Sequence, residues 1–125
     1  MIALLDTHIL LWWLGDSASL SKTARALIGN GAQTIVVSAA TAWEMAVKKA
    51  AGKLQTPDNL EWVLERNRFE MLPITIRHAI AAGGLPPHHA DPFDRMLVAQ
   101  AEIEGMTLLT HDKRLAAYGR FVQIV

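Results

Sequence analysis

The chain has 125 residues, 51% of them apolar, which is enough for one core of ordinary domain size and too little for a second domain. Twelve Lys and Arg balance twelve Asp and Glu, so bulk attraction to polyanions is excluded as the basis of function and any nucleic-acid site must be local. There is no Cys, which excludes a disulfide scaffold, a thiolate zinc site and a cysteine nucleophile together. The charge-free stretch from Ala26 to Trp43 is broken by Gly29, Asn30, Gly31, Gln33 and Thr34, and no basic residue precedes the first apolar run, which Asp6 interrupts. The pattern predicts a cytoplasmic protein with no membrane association.

In chain order, Ile2 to Leu5 is a continuous apolar run ending in Asp6 and Thr7, the pattern of a strand buried on both faces. Trp12 and Trp13 are neighbours; on a helix they cannot both face one core, so one of them is a candidate partner contact. Ser21 caps a helix through Ile28 that stops at Gly29. Ile35 to Val37 is the second strand, and from Ala39 the apolar positions Ala39, Ala42, Trp43, Ala46, Val47 and Ala50 share one face of a helix ending near Gly52. Thr56 before Pro57 reads as the cap of a helix running to about Arg66, with a short strand at Met71 and Leu72 after it. Thr75 to Ala82 is a helix closed by Gly83 and Gly84, which Leu85-Pro86-Pro87 cannot continue.

Asp91-Pro92-Phe93-Asp94 opens the next helix, with an N-cap acid, proline at the first helical position and a second acid near the positive dipole end. That helix runs to about Glu104; Thr107 to Leu109 and Phe121 to Val125 are the last strands, separated by a short helix over Lys113 to Ala117. Strands alternating with helices predict an α/β fold, a three-layer α/β/α sandwich on a central parallel sheet of about four to five strands, as a single domain over residues 1–125.

Ligands of such sheets bind outside the carboxyl ends of the strands. Asp6 ends the first run, Ser38 the second, and Thr110, His111 and Asp112 follow Leu109. Asp94 shares a helix face with Leu97, Val98 and Ala101, which turns an acid toward the core, and Glu44 points back over the same sheet edge. Each acid has a structural alternative: capping for Asp91 and Asp94, a pair with Lys48 worth about 0.2 to 0.5 kcal/mol for Glu44, and a cap of the short helix for Asp112. Asp6 has the least structural purpose. If all four converge, like charges within reach of one another destabilise the fold unless a cation compensates, and an all-oxygen donor set favours Mg²⁺ or Mn²⁺. Arg95, Lys48 and Lys49 stand next to the proposed ligands as candidate phosphate contacts. Asp58, Glu61, Glu65, Glu102 and Glu104 read as solvated. A transition-metal site from His88, His89, Asp91, His111 and Asp112 is the alternative, but no H-E-x-x-H or comparable spacing occurs.

The acids also form a pattern: L-L-D-T-H at 4 to 8, W-E-M at 43 to 45, H-x-D-P-F-D-R at 89 to 95 and L-L-T-H-D at 108 to 112. Over nearly the whole chain this resembles the PIN domain, in particular VapC-type toxins of prokaryotic type II toxin–antitoxin modules. The resemblance implies a Mg²⁺- or Mn²⁺-dependent endoribonuclease that cuts cellular RNA, is silenced by a cognate antitoxin protein and forms a homodimer. It matches Asp6, Glu44, Asp94 and Asp112 to the catalytic, metal-binding acidic quartet, Asp91 to a supporting acid, and Thr7, Ser38 and Thr110 to small hydroxyl positions near the site. Two readings compete. A receiver-like Mg²⁺-binding signalling domain needs an acid pair after its first strand, where Asp6 stands alone, and an acceptor Asp where Ser38 stands. A non-catalytic α/β binding module is the other, separated by whether Mn²⁺ raises the melting temperature.

Overall fold

A computed structural model describes residues Met1–Val125. The five strands are β1 (Ile2–Leu5), β2 (Thr34–Ser38), β3 (Glu70–Leu72), β4 (Thr107–Thr110) and β5 (Val122–Ile124). All are parallel, in the order β3-β2-β1-β4-β5. The helices are α1 (Thr7–Leu14), α2 (Lys22–Gly29), α3 (Ala39–Ala50), α4 (Leu60–Arg66), α5 (Ile76–Gly84) and α6 (Pro92–Glu104), with a 3₁₀ segment at Lys113–Tyr118. The expected layered α/β fold is the one observed, with five strands.

Alternate residues of β1 face opposite layers, which is why its run is apolar throughout. Ala3 and Leu5 pack with Ile9, Leu10, Ala24, Ile28, Met45 and Leu64 on one side. Leu4 packs with Ala40, Leu97, Val98, Ala101 and Leu115 on the other. The central strands β1, β2 and β4 are covered on both faces, which requires continuous hydrophobicity, whereas the edge strand β3 is largely exposed. Trp13 belongs to the first layer, its ring 6.4 Å from that of Phe69 and its indole N–H donating to Asn67 Oδ1 at 3.0 Å.

Two elements depart from the sequence pattern. Thr7–Leu14 is a full helix that the pattern left undelimited, because its apolar residues run almost all round. Helix α4 starts at Leu60, after Asn59, rather than at Thr56; Thr56 and Pro57 instead line a hollow against Met45 and Leu60. At the other end of α6, Gly105 closes the helix at φ 67°, a conformation that glycine adopts without a Cβ penalty.

The topology fixes where a site lies. β2 and β3 extend from β1 in one direction, β4 and β5 in the other, so β1 and β4 flank the point where strand order reverses. A crevice opens there at the carboxyl ends of the strands. Leu5 is in register with Leu109, and the Asp6 N–H donates to the Leu109 carbonyl at 3.0 Å. Asp6 and the residues after Thr110 therefore meet at the crevice.

Candidate active site

Asp6 is only 5% exposed. Its Oδ1 accepts the Ile9 N–H at 2.9 Å as the N-cap of α1, and its Oδ2 accepts the Thr110 hydroxyl. The expectation that this acid has little structural purpose is thereby corrected, since it caps the first helix. Burial pushes its pKa up, against the hydrogen bonds from Thr110 and Ile9. Glu44, one and a half turns into α3 and equally buried, accepts the Thr7 hydroxyl at 2.5 Å and pairs with Lys48. The hydrogen bond to Glu44 raises the Lys48 pKa, and the charges of Asp91 and Asp94 act in the same direction. The i,i+4 pair is therefore present, and it places a cation beside the acids.

The start of α6 separates its two acids. Asp91 is the cap, accepting the Asp94 N–H at 3.0 Å. Asp94 is left with a half-buried carboxylate that accepts no hydrogen bond from the protein; His89 Nε2 stands 3.4 Å away. Burial, then the charges of Asp91 and Asp6, push the Asp94 pKa up to about 7. An acid so poorly satisfied is a group prepared for a ligand that the protein itself does not supply.

Asp112 follows β4. It caps the 3₁₀ segment through the Arg114 N–H at 3.0 Å and takes a fork from the Arg114 guanidinium at 3.0 and 2.8 Å. These contacts hold its carboxyl far below the usual range. His89 Nε2 lies 2.9 Å from Asp112 Oδ2, the oxygen that the Arg114 guanidinium also reaches. His89 Nδ1 accepts the Asp91 N–H at 3.0 Å, so the ring proton resides on Nε2 and is donated to Asp112. The ligand atoms of His89, Asp94 and Asp112 all lie within 4.8 Å of one another. His89 was not among the residues assigned to the site from sequence. Its signal is its place two residues before a capping acid, where backbone capture of one ring nitrogen aims the other.

Of the three hydroxyls, Thr7 and Thr110 hold acids and Ser38 does not. Ser38 caps α3 through the Ala40 N–H at 3.0 Å and donates to the buried Gln100, which also meets the Pro73 carbonyl at 3.3 Å. Its hydroxyl serves the joint between α3 and α6. Arg95 is also corrected as a phosphate contact. Its guanidinium donates to the carbonyls of Ala82 and Leu85 at 3.0 and 2.9 Å and to those of Pro86 and His89 at 3.0 and 3.2 Å. Those bonds tie the end of α5 and the following loop to α6 and engage both terminal nitrogens of the guanidinium. Glu104, expected to be solvated, reaches His78 Nε2 at 3.2 Å. Beside the acids lies an open cleft of about 250 Å³ lined by Asp6, His8, Trp12, His111 and Asp112.

Asp6, Glu44, Asp94 and Asp112 are thus drawn from four elements to one sheet edge. Four carboxylates, one of them without a donor, suit a hard divalent cation with oxygen preference. The protonated Nε2 makes His89 a partner of carboxylate ligands rather than a ligand in this arrangement.

Known proteins resemble this chain along nearly its whole length. A family model described as PIN domain matches residues 3–120. Ribonuclease VapC22 of Mycobacterium tuberculosis is 30% identical over 118 residues, 92% of this chain and 90% of that protein. Among solved structures, VapBC2 from Rickettsia felis bound to a promoter DNA fragment superposes with a TM-score of 0.69 at 21% identity, covering 100% of this chain and 98% of the other. A toxin–antitoxin complex from Klebsiella pneumoniae gives a TM-score of 0.69 at 19% identity, over 97% and 95%. These two structures speak for the fold.

Proposed function

The chain belongs to the PIN domain family, and from that premise we propose that it is a Mg²⁺- or Mn²⁺-dependent endoribonuclease, the toxin of a type II toxin–antitoxin module. The observation that carries the reading is the Asp94 carboxylate, half-buried among Asp6, Asp91 and Glu44 and satisfied by no donor of the protein. Asp6, Asp94, Asp112 and Glu44 would hold the metal. When bound, the cation supplies two things: a lowered pKa for water and a positive charge opposite the scissile phosphate.

The chain's own residues provide the geometry. Thr110 orients Asp6, Thr7 orients Glu44, and His89 and Arg114 together hold Asp112. Asp91 sets the first turn of α6 and so the position of Asp94. Lys48, already beside Glu44, is the cation placed to meet a phosphate oxygen. A cognate antitoxin is the proposed protein partner, silencing the enzyme by placing a basic side chain among the same acids. A non-catalytic binding module gains nothing from an unsatisfied acid at the switch point. A receiver domain would need a second acid beside Asp6, and residue 7 is Thr.

The experiment is cleavage of single-stranded RNA by the purified protein with EDTA, then with Mg²⁺ restored. Activity should vanish and return. Asp6→Asn should lower it more than about 100-fold, beyond the 10- to 100-fold usual for losing a hydrogen-bond partner of a ligand. Cleavage undiminished in EDTA and in Asp6→Asn would sink the proposal.

A further inference from the structure

The cleft beside the acids is walled by three aromatic rings that the cluster's chemistry does not use. The Trp12 ring lies between two histidines, with centroids 6.0 Å from His8 and 5.4 Å from His111, the latter edge-on at 73°. The three rings come from two elements: His8 and Trp12 share a face of α1 at i and i+4, and His111 follows β4. The same cleft holds Asp6 and Asp112, so the rings begin where the acids end. His111 is held by its Nδ1, 3.0 Å from the main-chain oxygen of Val125. His8 and His111 are exposed, and Trp12 is half-buried, resting on the first core layer with part of its ring lining the cleft.

Trp12 and Trp13 differ in a telling way. The Trp13 indole N–H is bonded to Asn67 and its ring is packed against Phe69. The Trp12 N–H has no partner, yet it is not among the buried side-chain atoms lacking one, where Gln33 Oε1 stands alone. It therefore reaches solvent. A large ring with a free donor, flanked by imidazoles and opening on a cleft shared with phosphate-cleaving acids, is more than a core filler. Its chemistry fits the face and edge of a nucleobase.

We propose that His8, Trp12 and His111 form a nucleobase subsite, in which a base next to the scissile phosphate stacks on the cleft-lining part of Trp12 beside the two imidazoles. This rests on the ribonuclease reading and specifies how the substrate is gripped. Stacking tolerates any base, because every base has a π-face, so the subsite confers affinity and register more than sequence choice. It also reconciles a chain of zero net charge with RNA binding, since grip comes from stacking beside a locally neutralised metal site rather than from a basic surface.

The test is a two-way comparison on short single-stranded RNA. Kd and KM are measured for wild type, Trp12→Ala, Trp12→Phe and His111→Ala, on intact RNA and on a series carrying one abasic nucleotide at each position around the cut. Base–aromatic stacking of about 1 to 3 kcal/mol corresponds to roughly 5- to 150-fold in affinity. Trp12→Ala should weaken intact RNA within that range, and Trp12→Phe should retain most of the affinity. One abasic position should weaken wild type to the same degree, with no further loss when combined with Trp12→Ala. Equal losses for Trp12→Ala on every substrate, abasic ones included, would make Trp12 a structural residue and overturn the subsite. Wild-type cleavage with unaltered binding in Trp12→Ala and His111→Ala would overturn it while leaving the ribonuclease reading intact. Absence of RNA binding and cleavage by wild type would overturn both.

Discussion

Asp94 shows how a single residue carries both a cost and a use. Its folded pKa of about 7 lies above the ordinary 3.8, so the native state binds a proton that the unfolded chain releases. The metal-free protein should therefore lose stability as pH rises from about 4 to about 7, the reverse of a salt-bridged acid. At roughly 1.36 kcal/mol per pH unit the loss approaches about 4 kcal/mol. Asp94→Asn removes it. Thermal melts in EDTA should show the variant more stable than wild type near pH 8 by about 2 to 4 kcal/mol, equal to it near pH 3, and inactive on RNA. A destabilised but active variant would mean that Asp94 serves only the helix start. His89 makes a second residue-scale case. Its Nε2–H steadies Asp112 through the oxygen that Arg114 also holds, so His89→Ala should raise the Mg²⁺ concentration needed for half-maximal activity by about 10-fold. His88→Ala should not, because that ring packs on Tyr118 at 5.0 Å. Identical Mg²⁺ titrations for both variants would remove His89 from the site.

At the scale of elements, the strands and most helix starts were legible because their signals are local. Continuous apolar runs identified doubly covered strands, and Ser21, Thr75 and Asp91 each accept the capping N–H expected of them. The start of α4 was not legible, since Thr56-Pro57 carries a cap signal that packing against Met45 and Leu60 overrides. All four acids of the quartet were legible at the sheet edge, Asp6 and Asp112 from strand ends, Asp94 from helix phase and Glu44 from its place early in the helix after Ser38. His89 was not, because its partner Asp112 lies 23 residues away and meets it only through the crossing of the α5–α6 loop over the end of β4. Arg95 was misread for a similar reason: its neighbours in sequence are acids, its neighbours in space are carbonyls. Arg95→Ala leaves several of those carbonyls without donors. It should cost about 2 to 3 kcal/mol of stability, the scale of hydrogen bonds to a charged group. The salt dependence of RNA binding should stay unchanged. A reduced salt slope at full stability would restore Arg95 as a phosphate contact.

For the whole molecule, neutrality and topology are connected. No helix is long and apolar enough to cross a membrane, and twelve cations balance twelve anions, so the distinctive field is the local one at the switch point between β1 and β4. The parallel order β3-β2-β1-β4-β5 puts Asp6 and Asp112 on adjacent strand ends. α3 and α6, packed against the same sheet, bring Glu44 and Asp94 over that edge. Gathering acids there carries an electrostatic cost, which the proposed cation would offset. Exposed apolar residues concentrate elsewhere than Trp12 and Trp13, at Trp43 and Val47 on α3 and at Ile76 and Ile80 on α5. Trp12 and Trp13 are both half-buried against the first core layer, and of the two Trp12 also lines the cleft beside the acids.

Carboxylates holding a metal and histidines acting alone would leave different ends on the same RNA. His88, His89 and His111 make the second route chemically conceivable: attack by the ribose 2′-hydroxyl, without metal, leaving a 2′,3′-cyclic phosphate. The proposed carboxylate site would instead hold a metal that activates water, whose in-line attack would leave a 5′-phosphate and a 3′-hydroxyl. The most direct measurement is the chemistry of the product ends after cleavage in Mg²⁺, read by whether a 5′-phosphate-dependent exonuclease degrades the downstream fragment. The account predicts complete degradation, with no product formed in EDTA. Cyclic phosphate ends produced in EDTA would contradict it.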